Sequence, residues 1–168
     1  DDERTEVAQK TMAFAKEQGV KTSLSLSDPF VVEVFAQNMA KVIGNGVDLL
    51  FCNQDEALSY TQSKDLESAI EGLKGIAKTF VITQGEHGAT AFDGQTLMST
   101  QGVTTEAVDT NGAGDMFAGA FLYAITSGKD YSWALTFANA AAARVVSRFG
   151  PRIDLLEYNR LKNQFGIN

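Results

Sequence analysis

Short apolar runs alternate with helical patterns along the chain, and this alternation limits the folds open to it. The runs Val47–Cys52 and Thr79–Thr83 have the composition of buried parallel strands. Further strands are predicted at 21–27, 88–92, 96–99 and 103–108, with Asp93-Gly94 as a hairpin turn. Helical spacing predicts helices near 4–18, 30–42, 54–60, 64–74, 112–126, 130–147 and 154–164. The alternation predicts a three-layer α/β/α fold of the Rossmann-like type, with a largely parallel sheet between helices.

The net charge and the single cysteine narrow the classes of function. A net charge of −7 over 168 residues argues against a surface for nucleic acid or an anionic membrane. An ATP site remains compatible with this charge, because one local group of donors can bind a phosphate within an acidic protein. No apolar run reaches the roughly 20 residues that a membrane span needs, and Cys52 has no partner for a disulfide within the chain. We therefore expect a cytoplasmic protein with no nucleic-acid or membrane partner.

The run Asp109–Asp115, DTNGAGD, is the strongest local signal in the chain. Apolar residues at helical spacing begin within it: Ala113, Phe117, Ala120, Phe121 and Ala124. A helix start offers unpaired backbone N–H groups and the positive end of the helix dipole, which together form an anion site. Gly112, Ala113 and Gly114 let that backbone come close to a phosphate. Asp115 in the first turn is either a helix cap or a general base for a nucleophile beside the phosphate.

The same run meets every fixed position of the pattern D-T-x-G-A-G-D, and through it the chain resembles the ribokinase-like (PfkB-type) carbohydrate kinase family. The resemblance covers essentially the whole chain but only the C-terminal half of the family. It implies that residues 1–168 form the nucleotide-binding C-terminal part of a ribokinase-like kinase domain, whose N-terminal substrate-binding and lid part is absent.

The resemblance also implies an activity. The enzyme would transfer the γ-phosphate of ATP, with Mg²⁺, to an alcohol. Asp115 would be the catalytic base, and the amides of Gly112, Ala113 and Gly114 would stabilise the charge that builds on the phosphate.

Asn53 and Glu56 follow the strand Val47–Cys52, at the carboxyl end where ligands bind in open α/β sheets. Their spacing is that of a capping box, which would explain both residues without a ligand. The segment also resembles the N-x-x-E motif of the family. That resemblance implies that Asn53 lies near the nucleotide and that Glu56 helps to organise Mg²⁺, either directly or through water, since this ion keeps several waters.

Two further segments resemble nucleotide-binding parts of the family. Thr83, Gly85 and Gly88 match a T-x-G-x-x-G segment, which implies that they border the ATP phosphates and ribose. A hairpin entry would explain the same glycines. Asn139, the only polar residue in the run Phe137–Ala143, matches an asparagine near the adenine; the alternative is a surface asparagine.

A monovalent cation, such as K⁺, is also implied by the resemblance. The matching positions are Asp109, Asn111, Val145, Arg148 and Gly150, mostly through backbone carbonyls. The basic residues between Arg144 and Arg152 have a simpler interpretation, since they lie near a helix end and complement its dipole.

Two local strings, SLSDPFVVEVF and VDTNGAGDMFAGAF, look closest to adenosine kinases and related bacterial sugar kinases. They favour the hydroxymethyl group of a sugar or nucleoside as the acceptor, and a homodimer is a possible assembly. Two alternatives stay open: a non-catalytic nucleotide-binding module, and a structural or interaction domain that retains the fold.

Overall fold

The computed structural model describes residues 2–167, which fall into two compact units. The first comprises the residues up to Thr83 together with Phe92–Thr96, and the second comprises Gln84–Ala91 and the residues from Leu97 onward. The described helices are α1 (Asp2–Glu17), α2 (Pro29–Ile43), α3 (Gln54–Thr61), α4 (Leu66–Lys74), α5 (Ala113–Thr126), α6 (Tyr131–Val146) and α7 (Leu155–Gln164). The strands are β1 (Ser23–Ser25), β2 (Val47–Asn53), β3 (Ala77–Thr83), β4 (Ala89–Phe92) and β5 (Leu97–Thr100).

The first unit is built on the parallel strands β1, β2 and β3, which lie side by side in chain order. Leu50 of β2 is in register with Leu24 of β1 and Phe80 of β3, and both Leu50 and Phe80 are fully buried. Helices α3 and α4 pack on β2 and β3. This core explains why Val47–Cys52 is apolar on both faces, as a covered parallel strand requires.

Aspartate caps set the start of several helices. Asp28 accepts a hydrogen bond from the Phe30 amide at 2.8 Å, and Pro29 occupies the first turn of α2. Asp130 and Asp154 cap α6 and α7 in the same way, through the amides of Trp133 and Glu157. The sequence predicted these helix starts to within one or two residues.

The second unit holds β5, most of β4, and the helices α5, α6 and α7. Helix α5 packs against α6, with Phe117, Phe121 and Leu135 in the buried layer, and α6 also contacts β5. Trp133 stacks on Phe137 with ring centroids 5.1 Å apart. These aromatic side chains therefore serve the packing of α6.

The predicted fold class is confirmed: α/β, with a parallel sheet flanked by helices. One predicted strand is wrong, because residues 103–108 form no strand. The amide of Val108 donates instead to the carbonyl of Val146 at the end of α6, and the side chains of Val103 and Val108 are exposed. The Val108 amide is therefore bonded to a helix end and is not available to pair with a neighbouring strand. None of the helices within residues 2–167 combines the length and apolar character that a membrane crossing requires.

Candidate functional site

Asn53 and Glu56 form a closed hydrogen-bonded pair at the end of β2. The Glu56 amide donates to Asn53 Oδ1 at 2.8 Å, and the Asn53 amide donates to Glu56 Oε2 at 2.9 Å. Asn53 Nδ2 also donates to Glu56 Oε1 at 2.8 Å. The capping box is therefore real, and it fixes the direction in which the Glu56 carboxylate points.

Glu56 is more than a surface cap, because only 4% of it is exposed. Burial raises the pKa of its carboxyl, against the lowering effect of the Asn53 amide, and the nearby acids Asp28 and Asp55 raise the pKa further. A divalent cation close to Glu56 would offset this cost of ionisation. Within residues 2–167, no three or more His, Cys, Asp or Glu side chains are grouped to hold a metal ion by themselves. The donor set fits Mg²⁺ held through phosphates and water, with one carboxylate nearby.

Thr83 lies directly beside Asn53, since the two residues are register partners at the ends of β3 and β2. Both side chains are partly exposed. The parallel pairing explains the arrangement, because neighbouring parallel strands end at the same edge of a sheet. The structure thus brings Asn53, Glu56 and Thr83 together within the first unit.

The start of α5 in the second unit has the features of an anion site. Gly112 occupies the N-cap position with φ +77°, and no side chain caps the turn. A methyl group added at Gly114 would meet no atom within 4 Å, so the space over this part of the first turn is open. The Ala113 amide donates to the Thr110 carbonyl at 3.2 Å, so the amides of Gly114 and Asp115 are the first-turn donors that fit a phosphate group.

Gly112 itself is required by packing. A side chain at this position would bring Cβ to 2.6 Å from Pro151 Cβ and 2.7 Å from the Pro151 carbonyl oxygen. The positive φ of Gly112 adds a second reason for glycine. The small residues of the loop therefore have two different causes: contact with Pro151 at Gly112, and open access at Gly114.

Asp109 and Asp115 have different surroundings. Asp109 Oδ1 accepts from the Asn111 amide and Oδ2 accepts from the Gly150 amide, each at 3.0 Å. These two amides hold the pKa of the Asp109 carboxyl below its usual range. Asp115 lies in the first turn of α5 and is exposed, and no capping bond to its side chain is formed. Its carboxylate is therefore available to a ligand.

The remaining nucleotide-site residues are partly explained by packing. Gly85 is exposed, with φ +58°, and a methyl group added there would meet no atom within 4 Å. At Gly88, by contrast, a side chain would overlap the carbonyl oxygen of Thr100. Gly88 is thus needed for the approach to β5. Asn139 is only 8% exposed, and its Nδ2 donates to the Gln101 carbonyl at 3.4 Å. It is not a surface asparagine, so that alternative is wrong.

The basic segment at the end of α6 is paired with acids on α7. Arg144 Nη1 lies 2.6 Å from Glu157 Oε2, and Arg148 Nη1 lies 3.0 Å from Asp154 Oδ2. A guanidinium group has no acceptor atom, so Arg148 could offer a cation only its backbone carbonyl. The residues predicted for the monovalent cation fall into two hydrogen-bonded groups. Asp109 accepts from the amides of Asn111 and Gly150, and the Arg148 amide donates to the Val145 carbonyl.

This pairing was missed from the sequence. The signal was available in the spacing of Arg144 and Arg148, one helical turn apart, and of the cap Asp154 and Glu157 three residues later.

Each of the two units contains a cavity. One, of about 520 Å³, lies in the first unit near Val47 and Lys78, at the amino ends of β2 and β3 and so away from Asn53 and Thr83. The other, of about 370 Å³, lies in the second unit between residues 103–105, α6 and α7. Neither volume was predicted from the sequence.

Comparison with known proteins identifies the family. Residues 1–157 match the model of the pfkB family of carbohydrate kinases. The chain belongs to this family. The adenosine kinase of Saccharomyces cerevisiae is 29% identical over 156 residues, which are 82% of this chain and 44% of that protein.

Solved structures of other proteins share the fold of this chain. A probable sugar kinase from Rhizobium etli superposes with a TM-score of 0.87 at 31% identity, over 95% of this chain and 48% of that one. A protein from Escherichia coli, solved in complex with ATP and Mg²⁺, superposes with a TM-score of 0.80 at 25% identity, over 92% of this chain and 52% of that one. The chain therefore spans about half the length of these proteins.

Proposed function

We propose that the chain is the nucleotide-binding part of a kinase that transfers the γ-phosphate of ATP to the hydroxymethyl group of a sugar or nucleoside. The observation that carries the proposal is the start of α5, where an uncapped turn, an open Gly114 and an exposed Asp115 follow one another. Transfer of a phosphoryl group to an alcohol needs anion-binding donors and a base beside them. Membership of a carbohydrate kinase family supports the same reaction class.

Each part of the site has one task in this proposal. The first-turn amides of α5, at Gly112, Ala113, Gly114 and Asp115, stabilise the negative charge that develops on the transferred group. The Asp115 carboxylate accepts the proton of the acceptor hydroxyl. ATP with Mg²⁺ supplies the phosphoryl group and neutralises part of its charge. Asn53 and Glu56 would help to organise Mg²⁺, and Thr83, Gly85, Gly88 and Asn139 would border the nucleotide.

The acceptor class is drawn from relatives. The yeast relative is an adenosine kinase and the Rhizobium etli neighbour is a probable sugar kinase, which supports a nucleoside or sugar as acceptor. We also propose a site for a monovalent cation, K⁺, formed by Asp109, Asn111, Val145, Arg148 and Gly150. The proposal further places the protein in the cytoplasm and gives it a homodimeric assembly.

A second candidate is a nucleotide-binding module without an acceptor site. It is favoured by the length of the chain, which spans only about half of the relatives it matches. The two candidates share the ATP site and differ in turnover, so one set of measurements separates them.

The test is calorimetric titration of the chain with Mg²⁺-ATP, followed by phosphotransfer assays with adenosine, ribose and fructose. The assays use the chain joined to an acceptor-binding half. Binding with turnover supports the kinase, and binding without turnover in the joined protein supports the module. A folded chain that does not bind Mg²⁺-ATP would contradict both.

A further inference from the structure

Arg148 connects the end of α6 to the start of α7 through three acceptors. Its Nε donates to the Arg144 carbonyl at 3.1 Å, its Nη1 donates to Asp154 Oδ2 at 3.0 Å, and its Nη2 lies 3.6 Å from Glu157 Oε2. The guanidinium group is planar and permanently charged, so one side chain can hold all three acceptors in a defined geometry. Arg148 is also mostly shielded from solvent, with 29% of its side chain exposed.

The acids that Arg148 contacts are themselves held in place. Asp154 caps α7 through the Glu157 amide at 2.9 Å. Glu157 is buried and is paired with Arg144 at 2.6 Å and with Arg160 at 2.5 Å. Asp154 and Glu157 thus each have a partner besides Arg148.

The turn between α6 and α7 carries the contacts that shape the loop before α5. The Gly150 amide donates to Asp109 Oδ2 at 3.0 Å, and Asp109 Oδ1 accepts from the Asn111 amide at the same distance. Pro151 lies against Gly112, where no larger residue fits. A shift of this turn would therefore be transmitted to the start of α5 by a hydrogen bond and by a close packing contact.

We propose that Arg148 is a positioning residue for the phosphate-binding loop: by fixing the turn 147–151 it holds Asp109 and Gly112 so that the first-turn amides of α5 face the ligand. The inference rests on the proposed function, which it deepens, since it states what orders the anion site. Arg148 acts through Gly150, Asp109 and Pro151 and needs no contact with the nucleotide.

The test compares Arg148→Gln with Arg160→Gln. Arg160 pairs with the same Glu157, but from within α7, and it is 62% exposed. Both variants remove one positive charge next to Glu157, and only Arg148→Gln releases the turn. The readouts are hydrogen exchange of the Gly150 and Asn111 amides by NMR, Mg²⁺-ATP affinity by calorimetry, and the midpoint of thermal unfolding.

We expect Arg148→Gln to speed exchange of both amides at least tenfold and to weaken Mg²⁺-ATP binding at least tenfold. Arg160→Gln should leave both quantities within about twofold of the wild-type chain. Arg148→Lys keeps the charge, but a lysine side chain cannot contact three acceptors at once. The logarithm of its Mg²⁺-ATP affinity should therefore lie closer to that of Arg148→Gln than to that of the wild-type chain. This variant carries the comparison if Arg148→Gln does not fold.

Unchanged exchange at Gly150 and Asn111 in Arg148→Gln would overturn the proposal, and so would equal losses in the Arg148 and Arg160 variants. Full recovery of affinity in Arg148→Lys would also overturn it, because charge alone would then suffice. A wild-type chain that fails to bind Mg²⁺-ATP contradicts the proposed function instead, while the exchange data still decide whether Arg148 orders the loop.

Discussion

Asp109 and Asp115 stand six residues apart in the same run, and their side chains have different surroundings. Both carboxylate oxygens of Asp109 accept hydrogen bonds from backbone amides of Asn111 and Gly150. These bonds lower the pKa of Asp109 and tie its side chain to the backbone on both sides. Asp115 is exposed at the start of α5, where a base could meet a substrate hydroxyl. The difference between the two side chains is one of hydrogen-bond partners, not of residue type.

Asp115→Asn should lower kcat at least 100-fold in the protein that carries the acceptor-binding half, which is the size of a general-base contribution. Mg²⁺-ATP affinity should change less than about threefold, because the helix amides stay in place. Asp130→Asn is the matched control, since Asn caps a helix about as well as Asp and Asp130 starts α6. Near-normal turnover in Asp115→Asn would remove this residue from the mechanism.

Glu56 makes a prediction about pH. Burial raises its pKa in the folded chain, so the folded state binds a proton more readily than the unfolded state does. The free energy of unfolding should then fall, through this group, as pH rises from about 4.3 through the raised pKa. Glu56→Gln should show less of this fall, measured as the difference between the two urea-unfolding curves across pH. Parallel curves for the two proteins would show that Glu56 ionises without penalty.

The same variant tests the metal role of Glu56. If Glu56 organises Mg²⁺, Glu56→Gln should raise the Mg²⁺ concentration needed for half-maximal ATP binding several-fold, with less effect on affinity at saturating Mg²⁺. An unchanged Mg²⁺ titration together with lower stability would leave the capping box as the whole role of the residue.

At the scale of elements, α5 contains two glycines that differ in position but not in packing. Gly114 lies in the first turn and Gly119 lies mid-helix, and a methyl group at either would meet no atom within 4 Å. Alanine is favoured over glycine inside a helix by about 1 kcal/mol. Stability and ligand binding can therefore be separated on one helix.

Gly114→Ala and Gly119→Ala should both raise the midpoint of thermal unfolding. Only Gly114→Ala should weaken Mg²⁺-ATP binding, because its methyl group enters the open space before the first-turn amides. Calorimetry and thermal unfolding of the two variants give the comparison. Equal affinity for Mg²⁺-ATP in both would mean that a phosphate does not approach α5 at Gly114.

At the scale of the whole chain, several large apolar side chains of the first unit are exposed. Phe14 of α1 and Phe30 of α2 are 64% and 66% exposed, and Val7 and Val34 on the same two helices are also exposed. Large apolar side chains that form an exposed patch would mark a contact with another protein part or a tendency to aggregate. The chain spans about half the length of the relatives that it matches.

The chain alone should bind ATP weakly, phosphorylate no sugar or nucleoside, and associate as its concentration rises. We expect no phosphotransfer because catalysis depends on holding the hydroxyl against the γ-phosphate, and the proposed function assigns that task to an acceptor-binding half. Sedimentation at several concentrations, with assays on adenosine, ribose and fructose, tests this. Phe14→Ser with Phe30→Ser should reduce association more than Phe149→Ser, which removes an exposed ring from the second unit. Robust turnover by a monomeric chain would show that the acceptor site is complete within it.

The sequence by itself determined the helices α1 to α7, the approximate positions of β1 to β5 and the glycine-rich helix start. Apolar runs, aspartate caps and small residues are local signals, and each acts within a few residues of its own position. The capping box of Asn53 and Glu56 was predictable for the same reason.

Only the tertiary structure decided the contacts between distant residues. It placed Pro151 against Gly112 and Thr100 against Gly88, it buried Glu56 and Asn139, and it paired Arg148 with Asp154. Residues 103–108 form no strand, and the Val108 amide donates instead to the Val146 carbonyl at the end of α6. These outcomes depend on which groups meet after the chain has folded, and no local pattern of residues records that.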